Sequence, residues 1–93
     1  MSQSAMKPVS SLPGLGPRSV EQLARVGIHG ADTLLASDPF EVYARLRQAV
    51  PGTGLNALYA LIGAIENRHW IDIKRERRAE ILIRLDRMGL APK

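Results

Sequence analysis

The chain has 93 residues, no cysteine, 13 Lys and Arg against 9 Asp and Glu, and a formal charge of +4. That length holds one small domain, and 45% hydrophobic against 24% charged residues excludes an intrinsically disordered chain. Without cysteine there is neither a disulfide nor a thiolate metal site, and no apolar run reaches the roughly 18 residues of a membrane span.

Residues 1–11 are polar and serine-rich around Pro8, which predicts a tail; residues 12–90 then predict one all-α domain, a compact bundle of about five helices. No secretory leader is visible, so a soluble cytoplasmic chain is expected. No internal repeat stands out. The domain opens on Leu12-Pro13-Gly14-Leu15-Gly16-Pro17-Arg18-Ser19, in which two glycines free the backbone to turn and Pro17 presets the first turn of a helix. That helix is expected from about Pro17 to Val26, with Val20, Leu23 and Ala24 inward, and Gly27 ends it. A short helix over Ala31 to Ala36 follows, with Asp32 placed where a negative charge suits the helix dipole.

Asp38-Pro39-Phe40-Glu41 reads as an N-cap, a proline at the first helical position and an acid in the first turn. The helix it starts turns Phe40, Val42, Tyr43, Leu46 and Val50 inward and Arg45, Arg47 and Gln48 outward, and Pro51-Gly52 closes it. Thr53 is expected to cap the next helix, Leu55 to Glu66, whose apolar residues spread around most of its circumference and therefore predict a central position. Ala57, Ala60, Gly63 and Ala64 allow close neighbours on it, and Asn67 suits the left-handed end of a helix. The last helix is expected from about Lys74 to Met88, with Ile81, Leu82, Leu85 and Met88 as its inner stripe and Gly89 as its stop.

Three groupings suggest chemistry. The turn from Leu12 to Ser19 looks like the hairpin of a helix-hairpin-helix module, in which backbone N–H groups at a helix start take a DNA phosphate. The same residues also serve as a tight start to a helix that binds nothing, and Pro8 leaves room for only a short helix before the turn. Arg68, Lys74, Arg75, Arg77, Arg78, Arg84 and Arg87 form a basic run. It reads either as a surface paired internally, with Asp72 and Glu76 offsetting cations in the first helical turn and Glu80 meeting Arg84 at i,i+4, or as a contact for phosphate or an acidic protein. His69-Trp70 offers a flat surface for stacking, although a lone tryptophan more readily pins the connection between the last two helices to the core.

His29 and His69 lack partners at metal-ligand spacing, no histidine–acid pair supports a nucleophile at Ser19, and the turn lacks the lysine of a phosphate-loop motif. No enzyme, metal or cofactor is predicted. The candidate nucleic-acid contacts are Gly14, Gly16, Arg18, Ser19, Arg75 and Arg78.

The blocks Leu12 to Ser19, Leu23-Ala24-Arg25-Val26-Gly27-Ile28-His29, Leu55-Asn56-Ala57-Leu58-Tyr59-Ala60-Leu61 and Arg68-His69-Trp70 together resemble the C-terminal domain of the TfoX (Sxy) family of competence regulators, over roughly Leu12 to Met88. The resemblance implies a compact helical domain with a helix-hairpin-helix-like beginning, non-enzymatic and bacterial. In those regulators it follows an N-terminal domain and serves transcription of competence genes together with a cyclic-AMP receptor protein. This chain has no room for that N-terminal domain, so the expected partners are DNA, a partner regulator or a separate TfoX N-terminal-like domain. Gly30 stands where similar sequences place a capping Thr or Ser, and Asn67 where they place glycine.

Overall fold

The structure is a computed structural model that describes residues 12 and 14–90. The expected tail over residues 1–11, and any helix preceding the first turn, lie outside the described residues. Five helices follow one another: α1 (Pro17–Ala24), α2 (Ala31–Leu35), α3 (Pro39–Ala49), α4 (Leu55–Glu66) and α5 (Trp70–Arg87), with no strand among the described residues. The all-α bundle is therefore as the periodicity predicts.

Three of the helices end alike. Gly27, Asn67 and Gly89 have φ of +84°, +58° and +74°. The N–H after each donates back across the last turn, Ile28 to Leu23 O (2.9 Å), Arg68 to Gly63 O (2.8 Å) and Leu90 to Leu85 O (2.8 Å). This is the Schellman closure, in which a left-handed residue lets the chain satisfy a terminal carbonyl and leave the helix axis. α1 is shorter than its sequence pattern predicts, because Val26 belongs to that closure.

α3 starts where Asp38-Pro39 predicts, with the Asp38 carboxylate accepting from the Phe40 N–H at 2.9 Å. Phe40, Val42, Tyr43 and Leu46 are buried from it. Thr53 does not cap α4: its hydroxyl donates to the carbonyls of Val50 (2.8 Å) and Leu46 (3.3 Å), closing the end of α3, and Gly54 is the N-cap of α4. α4 is the central helix, packed against both α5 and α3 and burying Leu58, Tyr59, Leu61, Ile62, Gly63 and Ala64. The Tyr59 hydroxyl has no hydrogen-bond partner among the described residues.

α5 begins four residues earlier than expected. His69 is its N-cap, its Nδ1 accepting from the Ile71 N–H at 3.2 Å, and Asp72 occupies the first turn. The inner stripe is therefore Ile73, Ile81 and Leu85, all essentially buried, while Leu82 is half-buried and Met88 exposed. Arg77 fills the i+4 position between Ile73 and Ile81. Its stem lies along the core edge and its head pairs with Glu66 of α4.

Candidate nucleic-acid interface

The first turn rests on the backbone freedom of Gly14. The Leu15 N–H donates to Leu12 O (3.4 Å), and Gly14 has φ +79°, a left-handed conformation that glycine takes without a Cβ clash. Gly16 is then the extended N-cap of α1 and contributes no side chain, while Pro17 takes the first helical position. Helical bonding starts with Val20 N–H to Gly16 O (3.1 Å). The N–H groups of Arg18 and Ser19 therefore have no acceptor within the helix, and the first turn holds no acidic side chain to take them.

The same arrangement recurs thirty-eight residues later, where the sequence pattern suggested no repeat. Leu12-Pro13-Gly14-Leu15-Gly16 aligns with Val50-Pro51-Gly52-Thr53-Gly54, and Val20 and Leu23 of α1 align with Leu58 and Leu61 of α4. Thr53 N–H donates to Val50 O (3.3 Å), Gly52 has φ +84°, and Gly54 is an extended N-cap without a capping side chain. The signal lay in the two Pro-Gly-x-Gly runs, each followed by apolar positions at matching spacing. Different surroundings hid it, since α4 is apolar all round and α1 is amphipathic.

The two units meet in one groove. Arg18, Glu21 and Gln22 of α1 and Arg25 just after it face Val50, Pro51, Gly52, Thr53, Gly54 and Ala57 across a concavity of about 640 Å³. Arg25 pairs with Glu21 at 3.4 Å, an exposed i,i+4 contact of small energetic weight. Arg18 is exposed and has no ion-pair partner among the described residues. The expected contacts divide here. Gly14 is exposed and Gly16 half-buried at the turn, and Arg18 lines the groove. The Ser19 side chain instead lines a narrow crevice beneath α1 with Leu15, Leu23, Ala57 and Ala60.

Arg75 and Arg78 line a separate concavity with Ile71 and Lys74, which shares no residue with the groove at the turn. Three cations of the basic run are paired internally, one with the expected Glu76 and two with acids that spacing does not suggest. Arg84 meets Asp38 of the α3 cap at 2.7 Å rather than Glu80, Arg68 meets Glu76 at 2.6 Å, and Arg77 meets Glu66. The Arg68 contact holds the Glu76 carboxyl below its ordinary range through its hydrogen bond and charge, and the Arg68 and Arg77 guanidinium groups are raised by their acidic partners. Since α5 starts at Trp70, none of its cations occupies the first turn. Trp70 packs half-buried against the core with the His69 ring stacked beside it at 6.1 Å, so its place is the one a pinning residue takes.

His29 is exposed, and among the described residues no group of His, Asp and Glu is arranged to hold a metal ion. No helix there is long and apolar enough to cross a membrane. No curated protein and no solved structure matches the chain. The model of one family does, the TfoX C-terminal domain, over residues 5–85. That span takes in both Pro-Gly-x-Gly turns, the groove between them and all but the last two residues of α5, and the chain belongs to the TfoX C-terminal domain family.

Proposed function

We propose that this domain is a non-enzymatic regulatory module that contacts the phosphate backbone of nucleic acid through the Gly14–Ser19 turn. The observation that carries this reading is the groove in which Arg18, at the uncapped start of α1, faces the equivalent uncapped start of α4. Free N–H groups at a helix start and an unpaired guanidinium favour an anion at the same place. Arg75 and Arg78 occupy another concavity, and the reading does not depend on them. Family membership supports a bacterial cytoplasmic setting and a role in transcription of competence genes beside a partner regulator or a separate TfoX N-terminal-like domain.

The test uses variants that fold for a stated reason. A Cβ at Gly16 meets nothing within 4 Å, and its φ of −115° suits any residue. Gly16→Asp therefore gives α1 the capping carboxylate it lacks, and Arg18→Glu suits the dipole at a first turn. The double variant is expected to be at least as stable as the parent while placing two negative charges where a phosphate would sit. Fluorescence anisotropy with duplex and single-stranded DNA should show binding at about 50 mM salt that weakens at about 200 mM and is lost in the double variant. Binding that survives both substitutions would overturn the reading. A second reading, docking of a partner regulator or a second copy without nucleic acid, is favoured by the exposure of Ile71, Ile83 and Met88.

A further inference from the structure

α5 sorts its cations into two kinds. Arg77 and Arg84 pair with carboxylates on neighbouring elements, and Arg68, just before the helix, pairs with Glu76 on it. Asp72, the acid of the first turn, contributes its field at Arg68. Like Arg87 at the end of the helix, Lys74, Arg75 and Arg78 have no ion-pair partner among the described residues. They follow Ile71 at i+3, i+4 and i+7, which puts all four side chains on one face over two helical turns. Ile71 is 41% exposed, and the four residues line one open concavity of about 400 Å³.

We propose that Ile71, Lys74, Arg75 and Arg78 form a docking site for an acidic amphipathic segment of a partner protein, a helix carrying two or three carboxylates around one apolar side chain. This site is separate from the groove and does not rest on the nucleic-acid reading. Charge complementarity requires an anionic occupant. Ile71 decides among anionic occupants, because its exposed surface is stabilised only by an apolar group that leaves water with it. The phosphates that would meet these cations on a nucleic acid offer no such group. A membrane surface would call for a continuous apolar stripe, whereas three cations surround a single isoleucine here. Carboxylates with one apolar neighbour satisfy both requirements, and long-range attraction between exposed charges makes the contact sensitive to salt.

The probe is a synthetic helical peptide of about 16 residues with glutamates at i and i+4 around one leucine, beside the same peptide with glutamine for glutamate. Trp70, the single tryptophan of the chain, adjoins Ile71 and reports binding by its emission. The acidic peptide should bind saturably and the glutamine peptide should not. Arg75→Glu with Arg78→Glu should weaken the acidic peptide at least about tenfold, and Ile71→Ser about five- to tenfold. All three positions are exposed, and an unchanged circular-dichroism melt checks that the fold is kept. The Gly16→Asp, Arg18→Glu protein should bind the peptide as the parent does, which separates failure here from failure of the DNA reading. Absence of saturable binding, or binding indifferent to the charge reversal or to Ile71→Ser, would overturn the proposal. So would capture of a DNA duplex, or of phosphatidylglycerol-containing vesicles, that depends on these residues while the peptide is ignored.

Discussion

Gly63 shows how far a single residue can be read before its surroundings are known. Its small size in α4 predicts close approach by a neighbour, and a Cβ there would lie 2.5 Å from the Arg68 carbonyl oxygen and 3.3 Å from the Trp70 nitrogen. These are backbone atoms that cannot swing aside, because the Schellman closure at Asn67 fixes them. Gly63→Ala should therefore destabilise by about 1–3 kcal/mol despite the better helix propensity of alanine, read as a lower urea midpoint. Thr53 and His69 were not legible in the same way. A threonine between two helices can serve the carbonyls behind it or the N–H groups ahead, and only the placement of Gly54 as N-cap decides. Histidine is no favoured N-cap, so the four residues from Trp70 to Ile73 read as a connection although they are helix.

Helix starts written in local chemistry were legible at the scale of elements, and pairings across the chain were not. Asp38-Pro39 announced α3 from adjacent residues alone. That Asp38 also holds Arg84, which lies over the Phe40 ring at 4.1 Å, joins positions 46 apart and left only the nearer Glu80 as a suggestion. The two functions of Asp38 can be separated. Asp38→Ala loses both cap and ion pair and should cost about 1–2 kcal/mol in urea denaturation, while Asp38→Asn keeps a capping oxygen and should cost less than half as much, since the pair with Arg84 is exposed. An equal loss in both variants would place the energy in the ion pair instead. The candidate site divided similarly: the Gly14–Ser19 turn was visible in its own residues, but its facing partner at Gly52–Gly54 came from a repeat whose halves differ in burial.

At the scale of the whole molecule, the connection between α4 and α5 is tied to α5 by a contact that responds to acid, the pair of Arg68 with Glu76. Glu76 has its carboxyl lowered by Arg68, so its contribution is present at neutral pH and is lost as pH falls through the depressed folded value, below the ordinary carboxylate range. Arg68 is raised further above a value already beyond the working range, so its own titration adds nothing near neutrality. The melting temperature should fall as pH drops from neutrality through and below the ordinary carboxylate range, and Glu76→Gln should make that fall shallower; identical slopes would remove the pair from the account. The all-α architecture was legible because helical periodicity is strong in every segment after Leu12. The repeat has one more consequence. Although it divides the chain into two similar turn-and-helix units, α4 is the common core against which α3 and α5 lie, and its apolar residues reach around most of its surface. A cut between the units would leave one fragment without a hydrophobic wall and the other with that wall open to water, so two fragments from such a cut would have to be brought together before either became ordered.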